Sequence, residues 1–435
     1  MIKLLQILIT GVLVSFFYFP VEFTVFPGVN TKMMEAVLGL ACVALELRRR
    51  RSLDIPLEVL LLFAAAAGVS LASLVSITIN QTPDTTYVSY IISFSVWLSS
   101  AFFICSLIKG IHGKINVQLV LNYLAVVCLA QCVLCLVIDS NPVFSSWVDS
   151  IFLCDQALAH RVKRIYGIGA MLDVAGLRFA VVLTALSFYL SEATKPLRSG
   201  ERIFYIVSFL AISVIGNMIA RTTLIGTGIG IIIILIGLVF RPSDPEMAKL
   251  PAIFSWLTLI LVGILVSVVL YNTDLHARRL FRFAFEGFFS LFEKGYWEVS
   301  STETLKSMVV WPETLHTWII GDGYFENSRN DVNYLGDATD AGFYMGTDVG
   351  YLRFIFYFGI VGLFPMMSVI IGSAVICIRH FSEERFLFIL ALLVGLIVWA
   401  KVSTDVFLFF ALFLSAAALQ DPPEEETTEC TSSTT

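Results

Sequence analysis

Three arginines stand where apolar runs begin or end. Arg178 lies near the start of the run 174–190, Arg221 in the turn between 203–219 and 224–240, and Arg353 near the start of 350–378. A guanidinium is planar and presents forked donors, so it meets phosphate oxygens two at a time. The middles of the runs are nearly free of charge, Glu35 excepted. That pattern is expected in lipid, where an arginine at a helix centre costs about 2.5–3.5 kcal/mol on insertion scales. Taken singly, each arginine reads as a helix-end side chain snorkelling to lipid phosphates. Three at one depth, beside both long connections of the chain, favour a shared seat for a phosphate or diphosphate.

A second group of residues suits sugars. The stretch 311–350 carries His316, Asp322, Tyr324, Glu326, Asn327, Asp340, Tyr344 and Asp348 among several glycines. Aromatic rings stack on pyranose faces, and carboxylates and amides bind hydroxyls. A solvated loop has much the same composition, so this reading stays open beside the other. Just before it runs HARRLFRFAFEGFFSLFEKGYW, with Phe281, Phe285, Phe288, Phe289 and Phe292 at helical spacing and Arg282, Glu286 and Glu293 off that stripe. This predicts one amphipathic helix lying in a membrane interface. It is either a lid resting on the bilayer or a guide for a lipid-linked substrate, with Arg278, Arg279 and Arg282 near the headgroup.

The elements that must position these residues follow from composition. Of 435 residues, 57% are hydrophobic and only 14% charged, and the mean hydropathy is +0.85. Soluble domains are about a quarter charged. A chain with so little polar surface uses lipid as its solvent, which excludes soluble enzymes, secreted domains and disordered scaffolds. A net charge of −6 also argues against a nucleic-acid partner. Runs of near-bilayer length occur at 4–19, 33–47, 55–75, 88–108, 115–138, 174–190, 203–219, 224–240, 252–271, 350–378, 386–400 and 402–419. The fold class expected is therefore all-α: a polytopic bundle of about 12 transmembrane helices occupying 1–420.

Basic residues fix the expected orientation. Arg48 to Arg51, Lys109 and Lys114, Lys195 to Arg202, Arg241 and Lys249, and Arg379 and Arg385 fall on every second connection. That places them, and both termini, in the cytoplasm. Two long connections, about 139–173 and 272–349, then lie outside, and loops this long are usually functional. The tail 421–435, DPPEEETTECTSSTT, reads as disordered. Cys128, Cys132 and Cys135 share a helix face but have no His or carboxylate beside them, so they read as packing residues and not as a metal site. GTGIG at 226–230 lies inside an apolar run and reads as close helix packing, not as a phosphate loop.

The run GTDVGYLRFIFYFGIVGL (346–363), preceded by IIGDGYF (319–325), resembles bacterial O-antigen and exopolysaccharide polymerases of the Wzy type, in the O-antigen ligase superfamily. RIYGIGAMLDVAGLRFAVVL (164–183) and ARTTLIGTGIG (220–230) resemble the arginine-bearing segments of the same family. Asp348 stands where the ligases carry His, and Tyr351, Leu352, Gly359 and Gly362 occupy the positions that follow; that departure favours polymerase over ligase.

The resemblance implies a GT-C-like fold in the bacterial inner membrane. It implies an undecaprenyl-pyrophosphate-linked oligosaccharide as substrate, with chain-length regulator and flippase proteins as partners. The glycosyl bond to pyrophosphate is already activated, so no cofactor is expected. In this picture Asp348 takes the acceptor proton, Tyr351 supports the site, and Arg178, Arg221, Arg353 and Arg164 hold the pyrophosphate. His316, Asp322, Tyr324, Asp340 and Arg282 stand in reserve. Within one helix Asp348 and Arg353, five residues apart, share no face, so they either serve different parts of the substrate or flank a helix start. Alternatives are an O-antigen ligase, a lipid-linked sugar flippase or transporter, or a non-catalytic scaffold. A transporter would more usually show midplane charges and repeats; the chain has few of the former and no visible repeat.

Overall fold

The computed structural model describes residues 2–50, 56–153, 164–191, 197–240, 258, 261, 263–327, 342–404 and 406–420. The tail 421–435 and Asp340 lie outside the described residues. Long apolar runs bounded by polar turns become helices, because a helix satisfies every backbone amide and carbonyl internally where no water can. In chain order they are α1 (Ile2–Tyr18), α2 (Thr31–Arg50), α3 (Leu57–Asn80), α4 (Tyr90–His112), α5 (Val117–Ser140), α6 (Pro142–Ile151), α7 (Leu172–Ser191), α8 (Ser199–Ile219) and α9 (Thr223–Phe240). There follow α10 (Gly263–Thr273), α11 (Leu275–Ala284), α12 (Glu286–Lys294), α13 (Ser300–Ser307), α14 (Leu315–Ile319), α15 (Gly350–His380), α16 (Arg385–Trp399) and α17 (Phe407–Leu419). β structure among the described residues amounts to a pairing of Glu22–Phe23 with Phe152–Leu153 and two isolated bridges.

Six helices, α3, α4, α5, α7, α8 and α15, are long and apolar enough to cross a membrane. The other expected runs contain shorter helices or, in α2, one with several charges. α7 is buried along nearly its whole length and packs against α8 and α9. Glycines allow the close approach: a Cβ on Gly226 would strike the Ala180 backbone, and one on Gly230 would strike Ser187 and Phe209. The GTGIG segment is thus a helix-packing seam. Cys128, Cys132 and Cys135 are buried packing residues on α5.

The helices alternate in direction, which sorts the polar groups to two ends. At one end Lys109 Nζ donates to the Leu419 carbonyl (2.7 Å) and Arg379 pairs with Glu58 (2.8 Å). At the other end, here the loop end, lie Tyr18, Asn80, Asp173, Arg221, Asp348 and Lys401.

α15 is two helices joined at a break. Gly359 has φ 65° and ψ −169°, a region only glycine enters readily. A Cβ there would strike the Ile319 carbonyl at the end of α14. At the break the Phe356 carbonyl accepts from the Asp322 amide (2.6 Å), and the Tyr357 carbonyl from the Gly323 amide (3.1 Å) and the Ser76 hydroxyl (2.7 Å). The loop 319–325 is tied in turn to the end of α3. Asn80 Nδ2 donates to the Gly321 carbonyl (2.9 Å), Thr82 Oγ1 to the Gly323 carbonyl (2.8 Å), and the Phe325 amide to Asp84 Oδ2 (2.7 Å). So the two glycine-bearing segments noted in the sequence, 319–325 and 346–363, form one unit.

The amphipathic stretch differs from expectation. It is not one helix but two, α11 and α12, broken at Phe285 (φ −117°, ψ 30°). The break lets Phe281 bury against the bundle while Phe292 stays 86% exposed. Arg282 pairs with Glu293 across the turn.

Candidate functional site

Asp348 and Arg353 do flank a helix start. α15 begins at Gly350, so Asp348, two residues before it, and Arg353 near its first turn come together at 3.5 Å. Gly350 is needed there, since a Cβ would press on the Trp399 and Val402 carbonyls. Arg353 is deeply buried between the rings of Phe325 (3.7 Å) and Phe343 (4.5 Å). Its Nη1 donates to Ser403 Oγ (2.8 Å) and its Nη2 to the Phe325 carbonyl (3.1 Å). These two bonds tie Arg353 to the local fold, and the guanidinium so held is the charge beside Asp348. Burial lifts the Asp348 carboxyl to about 6, against the downward pull of Arg353. Asp173 raises it further and Lys401 opposes that, which places all four groups within one electrostatic neighbourhood.

The sequence suggested one seat for the arginines. The structure gathers them at one end of the bundle but around two hollows. The first, of about 330 Å³, lies among α2, α4, α7, α15 and the segment 399–404. Arg178, Lys32, Tyr87, Trp97, Trp399, Ser403 and Thr404 line it. Arg178 is buried there, with its guanidinium near the rings of Phe19 (5.6 Å) and Tyr18 (5.9 Å). Arg353 reaches this hollow through Ser403.

The second hollow, of about 350 Å³, is lined by Arg221, Thr222, Glu286, Trp297, Ser301 and Lys401, among others. Arg221 pairs with Glu286 (2.6 Å) and donates to Ser300 and Ser301 (3.3 and 3.2 Å). The rings converge here as well: Phe283 lies 4.2 Å from the Arg221 guanidinium and 5.3 Å from that of Arg164. Arg164 also lies 3.9 Å from Asp173. Between the hollows stands a bridge. Lys401 Nζ donates to Asp173 (2.8 Å) and to Thr222 (2.9 Å), and the Thr222 hydroxyl donates to Asp173. The segment 399–404 is thus a wall, with Trp399, Ser403 and Thr404 facing one hollow and Lys401 the other.

The remaining predicted residues divide. Tyr351 donates to the Leu396 carbonyl (2.8 Å) and packs edge-on against Trp399, so it braces α15 on α16. His316 bonds Asn80 (2.9 Å). Asp322 accepts from Thr317 (2.7 Å) and Tyr344 (3.2 Å), and burial raises its carboxyl above the usual range. Tyr324 is buried and stacks on Tyr344 (5.3 Å). His316, Asp322 and Tyr324 hold the 319–325 unit in place behind Arg353. Arg282, paired with Glu293, lies on the amphipathic pair away from Asp348.

Three contributors were not singled out in the sequence. Lys401 reads there as a stray cation between two short apolar runs, Lys32 as the start of another, and Asp84 as a turn residue. For Lys401 a signal was present: like Arg178, Arg221 and Arg353, it is a cation at the end of an apolar run. Compared with protein-family models, curated proteins and solved structures, the chain matches none.

Proposed function

We propose that the chain is an inner-membrane glycosyltransferase that polymerises undecaprenyl-pyrophosphate-linked oligosaccharide repeat units at the outer face of the membrane. On this reading twelve spans enclose a GT-C-like site and both termini are cytoplasmic. The observation that carries the proposal is the position of Asp348: a partly buried carboxylate 3.5 Å from Arg353, two residues before the Gly350 that abuts the 399–403 wall between two cationic hollows. A transfer between two lipid-linked units needs one base and seats for anionic groups, and no nucleotide, because the glycosyl diphosphate is already activated.

The chemistry is a single displacement. The acceptor hydroxyl oxygen attacks the anomeric carbon and passes its proton to Asp348. The bond from that carbon to the phosphate oxygen breaks, and its electron pair leaves on the diphosphate. Cationic side chains, with Arg178 lining the first hollow, Arg221 the second and Arg164 near it against the Phe283 ring, stabilise that charge. Arg353 sets the position of Asp348 and keeps its ionised form accessible. Inversion at the anomeric carbon follows from one step.

The test is reconstitution. Purified protein given a lipid-linked repeat unit should yield a ladder of products that Asp348→Ala abolishes. Products of one added unit on a different acceptor would instead favour a ligase. Movement of the lipid across the bilayer without product growth would overturn the enzyme reading in favour of a transporter.

A further inference from the structure

The second hollow does not end at its polar wall. Phe285 and Phe288 line it and also line a neighbouring apolar groove of about 540 Å³. That groove runs between α8 (Leu210, Val214), α10 (Val268, Tyr271) and the amphipathic pair (Phe281, Phe289). Its size is that of ligand sites, roughly 300–1,000 Å³. A cationic pocket divided from a hydrocarbon slot only by the Phe285 and Phe288 rings fits neither a free sugar nor a free phosphate. It fits an anion carried on an apolar chain.

The anion seat already holds one occupant. Glu286 Oε2 lies 2.6 Å from Arg221 and accepts from the Ser300 amide (3.3 Å) and hydroxyl (3.0 Å). The Arg221 Nε is buried and has no hydrogen-bond partner among the described residues. A carboxylate so placed engages one edge of the guanidinium and leaves a donor unanswered. A phosphate can engage both. Arg164, Arg221 and Lys401 face two carboxylates here, Asp173 and Glu286. Withdrawal of Glu286 leaves those cations against Asp173 alone, which is the charge a diphosphate would neutralise. Glu286 is also the first residue of α12, directly after the break at Phe285, so its release frees the amphipathic pair at the hinge it already has.

We propose that the Arg221 pocket and the adjoining groove are one site for a phosphate borne on a long prenyl chain, and that Glu286 is the internal anion this phosphate displaces from Arg221. The identity of the chain as a polyprenol rests on the proposed function; the site and its latch do not require turnover.

The experiment measures binding, not activity. Full-length protein carrying Asp348→Asn is placed in phosphatidylcholine nanodiscs and titrated with polyprenyl phosphate, inorganic pyrophosphate and phosphatidylglycerol. Polyprenyl phosphate should bind most tightly. Glu286→Gln should tighten it about tenfold, and Arg221→Gln should weaken it at least as much. Val268→Trp, which fills the groove at a residue that does not line the Arg221 pocket, should weaken polyprenyl phosphate while leaving pyrophosphate unchanged; each variant is first checked for an unaltered melting temperature. Equal binding of phosphatidylglycerol or of pyrophosphate, or no change with Glu286→Gln in a folded protein, overturns the proposal. If binding behaves as expected but the wild type builds no ladder, the polymerase reading fails and the site stands. A ladder without any effect of Glu286→Gln on binding leaves the polymerase and removes the latch.

Discussion

Lys401 lies 2.8 Å from Asp173, although 228 residues separate them in the chain. Both side chains are about three-quarters or more buried, at 24% and 20% exposed, so neither charge is well hydrated alone. Lys401→Met should therefore destabilise the protein, and Asp173→Asn combined with it should recover part of the loss. A coupling energy of about 1–3 kcal/mol is expected for residues in one such network. Thermal melting of the two single variants and the double variant in detergent gives the value. Additive losses would mean the bridge is incidental.

On the proposed mechanism Asp348 acts in its ionised form, and burial lifts its carboxyl to about 6. Turnover should then be maximal above that pH and fall about tenfold per unit below it, because protonation removes the acceptor for the hydroxyl proton. Asp348→Asn should lower the rate by roughly 10²–10⁴-fold, the usual worth of a general base, and remove the acid limb of the profile. A flat rate between pH 5 and 8 in the wild type would exclude Asp348 from the base's role.

Arg178 and Arg353 should separate under substitution. Arg178→Lys keeps the charge but loses the fork, so the expected outcome is a decrease in kcat/KM of about 10–100-fold with little change in melting temperature. Arg353→Lys also removes the stacked contacts with Phe325 and Phe343 and the bond to the Phe325 carbonyl. It should lower the melting temperature as well as activity. Steady-state kinetics beside calorimetry distinguishes the two; identical behaviour would contradict the separate roles.

Gly359 is held in a conformation that L side chains rarely adopt, with the Ile319 carbonyl where a Cβ would be. Gly359→Ala should cost about 1–3 kcal/mol for the backbone alone, and more for the contact. Gly228→Ala is the matched control: it lies within α9 with open space around the Cβ, and alanine there should be neutral or stabilising by up to about 1 kcal/mol. Melting of both variants checks the pair.

The sequence made the helices legible because lipid burial leaves a long, unmistakable hydrophobic run. It made the arginines legible because a cation at the end of an apolar run stands out where charge within such runs is costly. The spacing of Asp348 and Arg353 leaves two arrangements open, service to different parts of a substrate or a helix start between them, and the start of α15 lies between them. What it did not carry is pairing between distant segments. Nothing in Asn80, Thr82 or Asp84 announces that they hold the 319–325 loop some 240 residues later. Nothing in the phenylalanine stripe shows that Phe285 breaks the helix, since helical spacing persists through the bend. The division of the arginines between two hollows likewise depends on where 399–404 runs, and those residues look like an ordinary short turn.

The break at Gly359 has a practical meaning for anyone altering this protein. Gly321 to Phe325 looks like an easy place for an epitope or a cleavage site, being short, polar and rich in glycine. Yet two peptide carbonyls of a membrane helix depend on its amides. Engineering there amounts to cutting a span, and insertions at that point should be tolerated no better than insertions in the middle of α7.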